Sequence, residues 1–168
     1  VPPDRELPLT VINRSSRYPT LGDKRNALLR RARSRLVAHW DDDDWYLPWH
    51  LSGCRRRLSG AAACVKPRGA WWCVGPRGRF RTHGPRRNVF EGQMVFGRER
   101  ALELGGYARK DCGEALHLLE RFEGAEEFHC FDPGPLVSYC YRWGDGGGHI
   151  SASDSASRFA AENADFGT

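Results

Sequence analysis

The chain has 168 residues and a net charge of +5 at pH 7, with 40% hydrophobic and 28% charged residues. This length is sufficient for one domain with a hydrophobic core, and no run of about 20 apolar residues offers a membrane span. The positive charge comes almost wholly from arginine, because the only lysines are Lys24, Lys66 and Lys110. An arginine excess favours phosphate-bearing partners such as nucleotides, nucleic acid or anionic lipid, although a biased genome composition gives the same excess.

Cysteine spacing argues against both a metal module and a disulfide framework. No two cysteines form a CxxC pair, and their intervals match no zinc-binding module. Several lie in apolar runs such as AAACV and WWCVG, which is typical of buried, reduced thiols. The sequence therefore predicts a reducing, cytoplasmic location. The six positions are Cys54, Cys64, Cys73, Cys112, Cys130 and Cys140.

The first 60 residues predict a βαβ unit and a further helix. Residues 7–13 are rich in β-forming side chains, 23–35 place leucines on one helical face, and 36–40 form an apolar run. A strand, a helix and a strand in succession predict parallel pairing with a right-handed crossover. Pro48 then begins a second predicted helix over 48–60, because proline is favoured in the first helical turn.

The remaining sequence predicts alternating strands and helices followed by a Gly/Ser-rich tail. We expect an α/β domain over 1–145, with a mainly parallel or mixed sheet flanked by helices, and a tail over 146–168. The predicted elements are strands 62–66 and 70–75, a Gly-, Pro- and Arg-rich loop 76–88, strand 92–97, helix 98–107, helix 113–122, and strands 127–131 and 136–143.

Four consecutive aspartates, Asp41 to Asp44, follow the predicted strand 36–40. Like charges this close repel one another, so the cluster forms either a solvated turn or a site for something cationic. Ligands of parallel α/β sheets bind beyond the carboxyl ends of the strands, which is where these aspartates lie. Their position therefore favours a binding site over a plain turn.

Two segments of the chain share motifs, in the same order, with one known enzyme family. The first, GDKRNALLRRARSRLVAHWDDDDWYLP, has an Arg-Asn pair opening a helix, a strand ending in an Asp-x-Asp-Asp cluster, and a proline a few residues on. The second, FEGQMVFGRERALELGGYARKDCGEALHLLERF, has Gly-Gly-Tyr before a helix that starts with Gly113-Glu114. Together and in this order the two segments resemble GT-A glycosyltransferases, especially those of family 2, whose acceptor half starts this helix with Gly-Glu-Asp. The resemblance covers about residues 7 to 142. It implies a GT-A fold and an inverting transfer of a sugar from a nucleotide-diphosphate sugar to an acceptor hydroxyl.

The resemblance assigns roles to the aspartates. A divalent cation with carboxylate ligands, Mn²⁺ or Mg²⁺, neutralises the leaving diphosphate in such a transfer. Alternate residues of an extended segment point the same way, so Asp41 and Asp43 are the expected metal ligands while Asp42 points away from them. Asp41, Asp42 and Asp44 are also expected to contribute to binding the nucleotide sugar.

Four further residues are expected to serve the donor, the metal or the acceptor. Arg25 and Asn26 lie near the start of their helix, where a bound phosphate would explain a cation that the helix dipole disfavours; a plain surface arginine is the alternative. His149 is either an additional metal ligand or a solvated loop histidine. Trp45, beside the cluster, is the expected stacking platform for a sugar acceptor. His39, within the strand, is expected to be structural.

Two departures from the family pattern bear on catalysis. The family's domain normally begins with two more βα units that carry much of the nucleotide-base pocket, and few residues precede residue 7 here. We therefore expect a GT-A domain truncated at its N-terminus, with weak donor binding and turnover. The family's Gly-Glu-Asp, whose aspartate is the usual catalytic base, reads Gly113-Glu114-Ala115 here. Glu114 or Asp111 is expected to replace that base, or the base is missing.

Three functions are compatible with these features. The leading hypothesis is a metal-dependent glycosyltransferase with a carbohydrate, lipid-linked or protein acceptor, including association with a membrane surface. The second is a non-catalytic relative that only binds. The third is an arginine-rich nucleic-acid binder using the loop 76–88, but the aspartate cluster would repel a phosphate backbone, so no nucleic-acid partner is expected.

Overall fold

The computed structural model describes residue 12 and residues 15–58, 62–74, 79–82 and 90–143. The helices in these ranges are α1 (Leu21–Arg31), α2 (His50–Arg55), α3 (Arg98–Glu103) and α4 (Glu114–Gly124), with a 3₁₀ turn at Glu91–Gln93. None of the helices described is both long and apolar enough to cross a membrane. The strands are β1 (Leu36–Ala38), β2 (Trp45–Tyr46), β3 (Cys64–Pro67), β4 (Trp71–Val74), β5 (Arg79–Thr82), β6 (Val95–Gly97), β7 (Phe128–Phe131) and β8 (Tyr139–Trp143).

The described strands form two four-stranded mixed sheets. Their orders are β1-β6-β3-β7 and β2-β8-β4-β5. The pairs β3–β7 and β4–β8 are parallel, whereas β1–β6, β3–β6, β2–β8 and β4–β5 are antiparallel. The α/β class with a mixed sheet flanked by helices is therefore confirmed, but mainly parallel pairing is wrong for these strands. The predicted strand 7–13, apart from Ile12, and the tail 146–168 lie outside the described residues.

Helix α1 begins two residues earlier than its sequence pattern predicts. Thr20 is the N-cap, and its hydroxyl oxygen accepts the backbone N–H of Asp23 at 3.1 Å. Such a bond satisfies one of the amides that a helix start leaves without a helical partner. Arg25 is therefore the fifth residue of α1, beyond the first turn, and the expectation that it opposes the helix dipole is wrong.

The first sheet is covered on both faces. Adjacent strand residues point to opposite faces, and in β6 Phe96 packs into one apolar cluster while Val95 packs into another. Helices α1, α3 and α4 contribute to the first cluster, and α2 contributes Cys54 to the second. Strand β1 belongs to this sheet. Its end, and with it the start of the aspartate turn, is therefore positioned by packing on both faces. The first cluster includes Leu29, Ala101, Ala115, Leu118, Leu119 and Phe122.

The second sheet holds the chain that follows the aspartates. Strand β2 places Tyr46 opposite Tyr139 of β8, and Tyr139 packs with Phe90 in a third buried cluster. Residues 79–82 form β5, paired with β4, so the prediction of a loop throughout 76–88 is wrong for them. Pairing with a neighbouring strand overrides the weak β propensity of that Gly-, Pro- and Arg-rich stretch.

The cysteines whose side chains are described are all free thiols. Cys54, Cys64 and Cys140 are buried, as predicted, whereas Cys130 is half-buried and Cys112 is exposed. Burial raises the pKa of Cys54 to about 12, which keeps that thiol protonated at neutral pH. The prediction of buried thiols is therefore confirmed for Cys54, Cys64 and Cys140 and is wrong for Cys112.

Candidate functional site

The aspartate cluster lies in a turn between β1 and β2. Asp41 is half-buried and Asp44 is buried, whereas Asp42 and Asp43 are exposed. The expectation that Asp41 and Asp43 share one direction is wrong, because alternation of side chains holds only in extended backbone. The turn instead sends its first and last carboxylates inward, toward different partners.

Arg25 joins Asp41 to Glu114. Its Nη2 donates to Asp41 Oδ1 at 2.5 Å, and its Nη1 donates to Glu114 Oε1. The three side chains come from α1, from the turn after β1 and from the first residue of α4. Their exposed fractions are 19%, 29% and 5%, so the ion pairs are largely removed from solvent. One guanidinium thus balances two carboxylates whose positions are 73 residues apart.

His39 contacts the same carboxylate oxygen of Asp41 as Arg25 does, and Tyr107 contacts His39. His39 Nε2 lies 3.2 Å from Asp41 Oδ1, and His39 Nδ1 lies 3.1 Å from the Tyr107 hydroxyl. Asn26 fixes Tyr107 in turn, because its side-chain amide donates to the Tyr107 carbonyl and its side-chain oxygen accepts the Tyr107 N–H, both at 2.8 Å. Asn26 was expected to bind the donor. Its side chain here holds the backbone of Tyr107, whose hydroxyl contacts His39.

A second set of contacts surrounds the turn from the side of the second sheet. The Tyr46 hydroxyl accepts the Asp41 N–H at 3.0 Å and donates to the Gly92 carbonyl at 2.9 Å. The Tyr139 hydroxyl donates to Asp44 Oδ2. A Cβ on Gly92 would lie 3.0 Å from Asp41 Oδ2 and 3.0 Å from the Tyr139 hydroxyl, so the backbone here passes close to the carboxylate. Position 92 therefore has to lack a side chain for this packing.

Burial and nearby charges shift the pKa of two carboxyl groups in opposite directions. Burial raises the pKa of Asp41, but the hydrogen bond and charge of His39 and the charge of Arg25 outweigh it, so the pKa lies below the ordinary value. Burial raises the pKa of Glu91, and the negative charges of Asp41 and Glu114 add to that rise. Carboxyl groups whose pKa values are shifted in opposite directions are typical of functional sites, and structural ion pairs also produce such shifts.

The start of α1 does not offer free amides to a phosphate. The N–H of Leu21 donates to Asp111 Oδ1 at 2.8 Å, and that of Gly22 donates to the Lys110 carbonyl at 3.1 Å. The next two amides, of residues 23 and 24, donate to Thr20. The first four amides of α1 therefore already have acceptors within the protein, and contact between Arg25 and a donor phosphate stays a prediction. Asp111, an expected catalytic base, instead caps the helix.

Glu114 faces the network, and its neighbour Ala115 does not. Ala115 is 2% exposed and packs in the main apolar cluster with Leu118 and Phe122. Successive helical residues are rotated by about 100°, so a carboxylate at 115 would enter the core whereas one at 114 reaches Arg25. The departure from Gly-Glu-Asp therefore leaves Glu114 as the carboxylate that α4 contributes to this site.

Trp45 lies on the other side of the second sheet from the network. It is 52% exposed and precedes Tyr46, whose hydroxyl contacts the Asp41 amide. Because adjacent strand residues point to opposite faces, Trp45 is directed away from Asp41. Its register partner Cys140 also pairs with Trp71, so the two tryptophans share that outer face. An acceptor stacked on Trp45 would therefore not lie directly over Asp41.

Asp41, one of the expected metal ligands, already has partners within the protein. Among the residues described, no group of three or more His, Cys, Asp or Glu side chains is arranged to hold a metal ion. Asp41 is engaged by Arg25 and His39, and Asp44 by Tyr139. Asp41 Oδ1 is thus already engaged, and a divalent ion at that oxygen would compete with the guanidinium of Arg25 and the imidazole of His39. His149 lies outside the described residues.

Sequence reasoning missed several members of the network. The pair His39 and Asp41 could have been found, because residues two apart at a strand end lie on one side. Tyr107 was visible within the Gly-Gly-Tyr motif but carried no assigned role. Tyr46, Gly92 and Glu91 had no distinguishing signal, because their contacts depend on how the two sheets meet.

Comparison with known proteins adds no assignment. The sequence matches no protein-family model, and it matches no protein in a search of curated sequences. The function is therefore argued from the residues and geometry of the site.

Proposed function

We propose that this chain is part of a glycosyltransferase that uses a nucleotide-diphosphate sugar as donor. The observation that supports this most is the network of Arg25, Asp41 and Glu114. These residues belong to the separate segments that resemble the donor and acceptor halves of GT-A enzymes. Burying one cation with two carboxylates is expensive for a fold that needs only packing, and such clusters often have a chemical role.

In the proposed reaction Arg25 exchanges partners. The diphosphate of the donor, a bidentate acceptor for a guanidinium, takes the place of Glu114 on Arg25. Glu114 is then released to accept the proton of the acceptor hydroxyl. The hydroxyl oxygen bonds to the anomeric carbon while the bond from that carbon to the phosphate oxygen breaks, and the nucleoside diphosphate leaves with the electron pair. His39 holds Asp41 in place during the exchange.

Binding of a divalent cation, Mn²⁺ or Mg²⁺, at the aspartate turn is a separate prediction. Such an ion would neutralise the leaving diphosphate, with the exposed Asp43 as the accessible carboxylate of the turn. The steps assigned to Arg25 and Glu114 do not depend on it.

The test compares Glu114→Gln with Glu120→Gln. Both residues are glutamates of α4, but the Glu120 side chain is 48% exposed and pairs only with His117 among the described residues. We expect uridine or guanosine diphosphate to bind the wild-type chain, measured by isothermal titration calorimetry with and without Mn²⁺. We further expect Glu114→Gln to abolish sugar transfer while retaining diphosphate binding, and Glu120→Gln to retain both.

Three outcomes would contradict the proposal. Diphosphate binding that survives Arg25→Gln unchanged would remove the arginine from the donor site. Transfer that survives Glu114→Gln would remove the assigned base. Tight diphosphate binding with no transfer to any carbohydrate, lipid or protein acceptor would favour the non-catalytic alternative instead.

A further inference from the structure

A second region exposes apolar and cationic side chains next to each other. Trp49, Leu51 and Leu136 are 40%, 46% and 58% exposed. Arg55 and Arg56, at the end of α2, are exposed as well, and no ion pair in the described part of the chain engages either guanidinium. These five residues are called the Trp–Arg face below.

The five side chains lie on or beside the outward half of α2, with Leu51 and Arg55 along one edge and Trp49, Arg56 and Leu136 along the other. The indole N–H of Trp49 donates to the Leu136 carbonyl at 3.2 Å, and both residues line an open cleft together with Arg56. Leu51 and Arg55 are four positions apart on α2 and so lie on the same side of it. His50 and Cys54, each one position before these residues and so rotated by about 100° from them, are buried. Helix α2 therefore rests on the protein by one side and presents the other outward.

We propose that the Trp–Arg face binds the surface of an anionic lipid bilayer. Tryptophan is favoured at the boundary between headgroups and acyl chains, where its ring is buried and its polar edge stays wet. Leu51 and Leu136 enter the apolar side of that boundary, and Arg55 and Arg56 meet lipid phosphates. Arg57 is excluded from the face because its guanidinium lies over the Phe131 ring, 4.1 Å from the centroid.

Two other occupants suit this surface less well. Nucleic acid offers bases for stacking and phosphates for arginine, but it has no apolar layer for two exposed leucines. A second copy of the chain, docked face to face, would bring the arginines of both copies together without a counter-charge. The bilayer alone satisfies the apolar and the cationic members together. This inference does not depend on the proposed sugar transfer.

The experiment is sedimentation of the full chain with vesicles of phosphatidylcholine, with and without about 30% phosphatidylglycerol, at about 0.1 M salt. We expect binding to the anionic vesicles and little to the neutral ones. Arg55→Gln with Arg56→Gln should weaken binding about fivefold per arginine. Leu51→Gln with Leu136→Gln should weaken it about tenfold.

Matched controls separate this face from net charge and from misfolding. Arg31→Gln with Arg33→Gln removes the same charge from the exposed end of α1, and Leu28→Gln changes a leucine that is 43% exposed on α1. Each control should retain wild-type vesicle binding, and thermal unfolding should show that all variants fold. Equal losses in the controls would overturn the proposal.

Two further results would also overturn it. One is binding of polyuridylic acid, but not of vesicles, that is lost with the face variants. The other is a concentration-dependent dimer in light scattering that the face variants abolish while vesicle binding is absent.

Discussion

The network around Arg25 and the Trp–Arg face use arginine in opposite ways. Arg25 is 19% exposed and holds two carboxylates, so its charge is balanced inside the protein. Arg55 and Arg56 are exposed beside tryptophan and leucine, with no carboxylate paired to them in the described ranges. A buried charge needs its partners in order to fold, whereas an exposed one is available to a partner from outside. The number of arginines in a sequence therefore predicts less about binding than their partners do.

The largest expected effect is on stability and separates the two kinds of arginine. Arg25→Gln leaves Glu114 buried without a counter-charge, which should lower the free energy of unfolding by about 4 kcal/mol at pH 7. Arg56→Gln, on the exposed face, should change it by less than about 0.5 kcal/mol. Urea unfolding followed by circular dichroism measures both values.

A double variant checks the reason for the loss. Arg25→Gln with Glu114→Gln removes the unpaired charge, so it should recover about half of the stability that Arg25→Gln loses. Similar free energies of unfolding for Arg25→Gln and Arg56→Gln would show that the network is no more than a surface ion pair.

The next effect concerns His50, which touches both regions. The His50 ring packs against the ring of Tyr46, whose hydroxyl contacts the Asp41 N–H. His50 also lines the cleft beside Trp49. Burial lowers the pKa of His50 to about 4, from 6.5. The unfolded chain therefore takes up a proton first as the pH falls. Stability from the neutral ring is complete above about pH 6.5 and is lost by up to about 3 kcal/mol as the pH falls to 4.

The contribution of His50 is isolated by measuring the free energy of unfolding against pH for the wild type and for His50→Gln, and comparing the two slopes. Glu91 acts in the opposite direction near the lower end, because its raised pKa favours the folded state as the pH falls. The pKa of Asp41 lies below 3.8, so its contribution is lost only at lower pH. His117→Gln, at a side chain that is 48% exposed, is the control for replacing a histidine elsewhere in the chain. A slope that survives His50→Gln would assign the effect to another group.

Binding of a metal and a nucleoside diphosphate at the network should raise the free energy of unfolding, and changes in the Trp–Arg face should not alter that gain. If the aspartate turn binds a metal with the donor, Mn²⁺ plus a nucleoside diphosphate should raise the unfolding free energy more than either alone. The gain is about 2.7 kcal/mol at about 100 times the dissociation constant. Asp43→Ala should abolish this synergy, whereas Arg55→Gln with Arg56→Gln should retain it. Equal gains in the wild type and Asp43→Ala, measured by thermal unfolding, would contradict the metal role.

The sequence predicted the elements of the fold better than their pairing. Apolar runs located β3, β4 and β7, and the periodicity at 113–122 located α4. The partner of β1 was missed because β6 lies far along the chain, and which strands pair depends on the path between them. Helix α2 ends at Arg55, short of the predicted 48–60, because it has Gly53 within it and no side-chain cap at its start.

For the site, the sequence predicted participants but few of their contacts. Arg25, Asp41 and Glu114 were named from motifs, yet the hydrogen bonds of Arg25 join residues 16 and 89 positions away. Such contacts depend on the packing of α1 and α4 against the sheet. The reason given for Asp43 was an extended segment, whereas residues 42 and 43 lie in a turn, so its metal role stays a prediction without that support. Glu114 was one of two residues expected to act as the base. Because Ala115 faces the core, Glu114 is the residue that α4 directs toward Arg25.

The smallest effect compares two glycines, one in each region. A Cβ at Gly92 would lie 3.0 Å from Asp41 Oδ2 and from the Tyr139 hydroxyl, so Gly92→Ala must move a carboxylate that Arg25 already holds. We expect it to lower the unfolding free energy by about 1 kcal/mol and to weaken diphosphate binding. Gly53 lies in α2 on the other region, and a Cβ there meets nothing within 4 Å. Gly53→Ala should therefore raise stability by about 0.5–1 kcal/mol, because alanine favours the helix. Since the two changes add the same methyl group, opposite signs in urea unfolding would show that the network is packed around its carboxylate while the face is open. A loss of stability in both variants, or in neither, would remove that distinction.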